Sequence, residues 1–124
     1  MPSDYFRVKL CESAKDALRD IGRKYGKKTY ETLRDLILDL EFEPDKKGEP
    51  LRGILHGLYS RHYSRFRIIY AIDKGEFLVV VVGAGYHEND SRMDIYNVIE
   101  RAIDSGALVL GDEVAKYKKT PEKN

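Results

Sequence analysis

The stretch from Arg65 to Tyr86, RFRIIYAIDKGEFLVVVVGAGY, limits what this chain can become. Two β-branched and aromatic runs flank Asp-Lys-Gly, a turn signal, so they predict an antiparallel hairpin. The apolar run within it is too short to cross a bilayer as a helix. Two further runs precede it, LRGIL and GLYSRHY, the second ending near Ser64, and these complete a meander of three main strands. Near the N-terminus YFRVKL alternates in polarity and predicts a half-buried first strand.

Between these strands the period changes from two to helical. Ala14, Ala17, Leu18 and Ile21 follow a Ser13-x-x-Asp16 capping pattern, and the helix they predict ends near Gly26. Tyr30, Leu33, Leu36, Ile37 and Leu40 form the stripe of a second helix. The short link predicts an antiparallel helical hairpin. EFEPDKKGEP, with two prolines and a glycine, is a loop. Ser91-x-x-Asp94 opens a third helix with Tyr96, Val98, Ile99, Ala102 and Ile103 on its stripe, stopped by Gly106. ALVLGDEVA reads as a short strand or a docked segment, and KYKKTPEKN as a frayed polar tail. The order is β-αα-βββ-α, an α+β fold with its helices on one sheet face and the other face open. Residues 1–106 form the domain and 107–124 an extension with a partly disordered end.

Charge is balanced overall and uneven locally. Formal net charge is +1 over 124 residues, which excludes coating nucleic acid by bulk charge. Residues 1–50 hold 11 basic and 11 acidic side chains, and residues 73–124 hold 7 and 10. Residues 51–72 hold Arg52, Arg61, Arg65 and Arg67, with His56 and His62, and no acid. Arginine forks bind phosphate bidentately, and tyrosine or phenylalanine stacks on unpaired bases. Such a segment suits single-stranded RNA. Strand parity leaves two registers open: an odd-length turn places Arg61 opposite Arg67, and a two-residue turn places His62 there. Either neighbour is tolerated if an anion lies between them.

GEPLRGILHGLYSRHYSRFRIIYAID followed by VVVVGAGYHENDSRMDIYNVIERA resembles the RelE/ParE superfamily of toxins from toxin–antitoxin systems, especially RelE, HigB and YoeB-like mRNA interferases. The resemblance covers roughly residues 5–104. It implies the RelE/ParE-like fold, two N-terminal helices and a C-terminal helix on an antiparallel sheet. It also implies metal-independent, ribosome-dependent endoribonuclease activity, in which the 2′-hydroxyl attacks the adjacent phosphate. The alternatives are a ParE-like DNA gyrase inhibitor and an inactive member that binds only a protein partner. Such chemistry needs a base, an acid and cations for the charge on phosphorus.

Position by position, the resemblance implies catalytic roles for five residues. Arg67 would hold the scissile phosphate, and Arg61 would share that task. Glu49 matches a general-base glutamate, His87 the acid, and Tyr96 the tyrosine of RelE-like sites. Histidine suits proton transfer because imidazole ordinarily titrates near ~6.5. Substrate contacts would come from Arg52, Tyr59, His62, Arg65 and Tyr86. The chain departs from RelE in carrying Tyr59-Ser60-Arg61 where RelE has lysines, and from YoeB-like chains in continuing past the histidine. The implied partners are a cognate antitoxin and mRNA on the ribosome, with no membrane and no cofactor.

Other features read as structural. A single cysteine, Cys11, builds no internal disulfide and suits a reducing cytoplasm. No apolar segment with a cleavage site opens the chain, so no signal peptide is expected. HEND fits no common metal spacing, so no metal is assigned. GAG lacks the third glycine and immediate helix of a dinucleotide motif.

Overall fold

The computed structural model of the chain describes residues 5–89 and 91–119. Its elements run β1 (Arg7–Leu10), α1 (Glu12–Tyr25), α2 (Lys27–Leu38), α3 (Pro44–Lys47), β2 (Glu49–Pro50), β3 (Leu58–Tyr63), β4 (Phe66–Asp73), β5 (Leu78–Tyr86), α4 (Ile95–Asp104) and α5 (Leu110–Ala115). Turns of 3-10 helix lie at Asp39–Glu41 and Gly53–Leu55. The strands form one sheet in the order β1-β5-β4-β3-β2. β1 lies parallel to β5, and the other pairs are antiparallel.

The α+β order expected from the pattern is present, with three additions, the first being α3 inside the expected EFEPDKKGEP loop. The two-residue β2 extends the sheet edge beside β3, and α5 follows α4. LRGIL forms a turn of 3-10 helix in place of a strand. ALVLGDEVA becomes a docked helix rather than a strand. Leu108 is buried, and Arg7 Nη1 donates to the Tyr117 carbonyl at 2.9 Å. The Tyr117 hydroxyl donates to the Leu10 carbonyl at 3.2 Å. The extension is thus folded against β1 as far as these contacts reach. The rest of the expected frayed tail, residues 120–124, lies outside the described residues.

The helices do not share one sheet face. α1 and α2 cover one side through Ala14, Leu18, Ile21, Leu33 and Ile37, all buried. α4 covers the other through Ile95 and Ile99. The physical reason was present in β5 itself. Leu78 to Ala84 is apolar without alternation, which is the pattern of a strand buried on both faces. Gly83 admits α4, since a Cβ there would lie 2.7 Å from Ile99 Cδ1. Each fully buried isoleucine contributes roughly 1.5–3 kcal/mol to holding α4 down.

Both expected capping boxes give way to other arrangements. α1 begins at Glu12 behind Cys11, with no side-chain cap. At α4 the cap is Asp94, whose carboxylate accepts from the Tyr96 N–H. Ser91 Oγ instead accepts from the Met93 N–H at 3.1 Å.

Register then divides the polar residues between the two faces, because directly opposed residues point the same way. Tyr63 pairs with Phe66, so the β3–β4 turn has two residues, Ser64 and Arg65. His62 therefore lies opposite Arg67, and Arg61 opposite Ile68. The first of these pairs shares its face with Gly85, under α4. The second points toward α2.

Candidate functional site

Arg67 sits on the α4 face near the end of β4. Its Nη1 donates to the carbonyls of Ser64 and Phe66, each at 3.0 Å. Among the described residues no carboxylate forms an ion pair with it. Its Nε is buried and has no hydrogen-bond partner. An unsatisfied buried donor costs about 1–3 kcal/mol.

His87 continues from β5 on the same side. Its backbone N–H donates to the Arg65 carbonyl at 2.7 Å, which extends the pairing one residue past β5. Its Nδ1 lies 2.5 Å from Asp94 Oδ1. Asp94 also accepts from the Glu88 N–H at 2.7 Å and the Tyr96 N–H at 3.0 Å. Burial opposes the charge on Asp94. The bond to His87 and the two backbone N–H groups outweigh it and hold the carboxyl below its usual range.

Tyr96 enters from the first turn of α4. Its ring meets the His87 ring edge-on at 5.1 Å, and its hydroxyl is 2.8 Å from Ser60 Oγ. Ser60 is buried and lies opposite Glu49 in the β2–β3 register. Glu49 is therefore on this face too, exposed at the sheet edge. Beside it a shallow concavity of about 340 Å³ at the sheet edge is lined by Lys46, Lys47, Glu49, Ser60, Arg61 and His62. One face thus gathers Glu49, His62, Arg67, His87 and Tyr96, with Ser60 and Asp94.

The remaining expected residues lie elsewhere. Arg61 does not converge with Arg67. It points to the opposite face, where its Nη1 donates to the Leu36 carbonyl at 2.9 Å and to Asp39 Oδ2 at 3.0 Å. Asp39 also binds Lys47 at 3.0 Å. The Lys47 hydrogen bond, aided by Arg61 against a burial penalty, lowers the Asp39 pKa. Arg61 thus ties β3 to the end of α2, and its counter-ion is internal.

Tyr59 stacks on Tyr70 at 5.6 Å on that same face. Tyr86 stacks on Tyr25 at 5.7 Å and meets Phe66 edge-on, so parity turns it away from His87. Arg65 lies in the turn with its guanidinium 5.8 Å from the Tyr86 ring centroid. Arg52 is exposed ahead of the 3-10 turn against which α4 packs.

Sequence reasoning missed Ser60 and the role of Asp94. Ser60 sits between two residues assigned to the site and could have been found from parity with Glu49. Asp94 stands two residues before Tyr96, the spacing of a side-chain cap. Its reach to His87 required the fold. A separate concavity of about 580 Å³ lies between β5, α4 and α5 and is lined mainly by apolar side chains.

This α+β fold is shared with solved RelE and YoeB toxins. The RelBE toxin–antitoxin complex from Mycobacterium tuberculosis superimposes with a TM-score of 0.60 at 24% identity, covering 67% of this chain and 92% of that one. A YoeB/ParE toxin from Agrobacterium tumefaciens gives 0.57 at 23%, covering 67% and 100%. The isolated E. coli RelE toxin gives 0.55 at 22%, covering 82% and 97%. By sequence, residues 8–90 match the family described as ParE toxin of type II toxin-antitoxin system, parDE. Toxin RelE of Mycobacterium tuberculosis is 31% identical over 78 residues, 63% of this chain and 80% of that protein. The chain belongs to the ParE/RelE family of toxins of type II toxin–antitoxin systems. Among the described residues no helix is long and apolar enough to cross a membrane.

Proposed function

We propose that this toxin is a ribosome-dependent endoribonuclease that cleaves mRNA by internal attack of a 2′-hydroxyl. Glu49 takes the proton of the 2′-hydroxyl, and that oxygen attacks the neighbouring phosphorus. The bond to the 5′-oxygen breaks, and His87 supplies the proton that oxygen needs. The products are a cyclic phosphate and a free 5′-hydroxyl. Arg67 holds the non-bridging oxygens as charge grows on them, a contact worth roughly 3–4 kcal/mol when preorganised. Tyr96 shapes the floor beside His87. His62 borders the entry for the strand, and the exposed Arg52 offers a further phosphate contact. The reaction uses side chains alone and needs no metal or cofactor.

The observation that carries this reading is Arg67: a guanidinium with no carboxylate partner among the described residues, on the face that also holds Glu49 and His87. Incubation of the purified chain with a reporter mRNA in a bacterial translation extract tests it. Cleavage that survives a chelator and disappears in Arg67→Ala is the expected result. Intact mRNA with the native chain sinks the reading.

A second reading rests on the match to the ParE description: a gyrase inhibitor that cuts nothing. Inhibition of supercoiling without mRNA cleavage would select it. Under either reading the partner is a cognate antitoxin, as in the solved toxin–antitoxin complexes with this fold. The site of action is the cytoplasm.

A further inference from the structure

We infer that Asp94 is a positioning residue for His87: it holds the proton on Nδ1 and leaves Nε2 as the nitrogen presented to substrate. This rests on the cleavage reading above and adds a residue to it. An ionised carboxylate only accepts hydrogen bonds, so a 2.5 Å contact to His87 Nδ1 requires that nitrogen to carry hydrogen. Asp94 cannot swing away to relax this demand. Its side chain is 6% exposed, and both oxygens are held, Oδ1 by the Glu88 N–H and Oδ2 by the Tyr96 N–H. The imidazole is clamped in turn. Its backbone is pinned to Arg65, its Nδ1 to Asp94, and its ring lies against Tyr96. The depressed pKa of Asp94 agrees with a carboxylate that stays charged at neutral pH.

The consequence is that one side chain does two jobs. Asp94 caps α4, and the same carboxylate aims the proton donor. When His87 carries both protons, the Asp94 charge lies beside the imidazolium, and Nε2–H is the proton available to the leaving oxygen. A cap alone would need only the bond to Tyr96.

That difference supplies the test. Serine is a good helix cap but is too short to bridge from position 94 to His87. Asp94→Ser therefore keeps the cap and removes the aim, whereas Asp94→Ala removes both. Nitrogen-15 NMR of the full-length chain reads the His87 tautomer, with kcat and KM measured on the reporter mRNA in parallel. The native chain should show the Nδ1–H tautomer, lost in both variants. For Asp94→Ser we expect thermal stability close to native, KM little changed, and kcat lowered about 10- to 100-fold, the range for partners that orient a functional histidine. Native kcat in Asp94→Ser, or a native chain with its proton on Nε2, overturns the proposal. If the native chain cleaves no mRNA, the cleavage reading fails, and the tautomer of the native chain against Asp94→Ser still decides whether Asp94 sets the imidazole.

Discussion

Arg61 and Arg67 occupy adjacent strands, carry the same group, and have opposite fates. Arg61 is tucked against α2, where a carbonyl and Asp39 use its donors. Arg67 lies on the α4 face with backbone carbonyls on one nitrogen and, among the described residues, no carboxylate partner. The first is a staple between sheet and helix. The second is the one proposed to hold phosphate. What separates them is the parity of a two-residue turn, which sends neighbouring side chains to opposite faces. A run of cations in a sequence is therefore not a patch until register assigns each one to a side.

The largest effect should come from breaking the free arginine. Arg67→Ala is expected to lower mRNA cleavage by roughly 100- to 1,000-fold, the loss of about 3–4 kcal/mol of transition-state stabilisation. Its thermal midpoint should stay near native. Lost stability with cleavage intact would make Arg67 another staple. The paired arginine predicts the reverse. Arg61→Ala leaves the Leu36 carbonyl without its donor and should cost about 1–3 kcal/mol in urea unfolding. Its specific cleavage, corrected for the folded fraction, should match native.

A third test moves the lid between the faces. Gly83→Ala sets a methyl group 2.7 Å from Ile99 Cδ1, so α4 must shift. We expect a cost of about 1–3 kcal/mol from overpacking, with cleavage reduced because Asp94 and Tyr96 move with α4. The two faces should also share an acid limb. Asp39 and Asp94 both have folded pKa values depressed below 3.8. Their contribution is therefore complete above the ordinary carboxylate range and is lost as pH falls through the depressed values. Thermal midpoints should drop below about pH 4, and Asp39→Asn should make that drop shallower. The smallest effect belongs to Tyr86→Phe. The ring keeps its stack on Tyr25 on the face away from His87, so cleavage within a factor of about two is expected.

The elements were legible from local signals. Apolar spacing located α1, α2 and α4, and β-branched runs around Asp73-Lys74-Gly75 located β4 and β5. The docked α5 was not legible as a helix, because six residues carry little periodicity of their own and this segment is held by Leu108 and Tyr117. The unalternating Leu78–Ala84 run is the pattern of a strand covered on both faces, which accords with α4 lying opposite α1 and α2. Glu49, Arg67, His87 and Tyr96 were candidates by residue type and resemblance, whereas the face they share is set by the fold.

Residue order alone settled the succession of helices and strands and supplied the acid-free cationic hairpin, since both follow from short-range sterics and composition. Tertiary structure alone decided which arginine meets an internal carboxylate, because Asp39 and Arg61 lie far apart in sequence and meet only when α2 packs on β3. It also decided the pairing of His87 with Asp94, which forms only where the end of β5 meets the first turn of α4. Long-range contacts of this kind are fixed by packing and register, and local sequence carries no direct record of them.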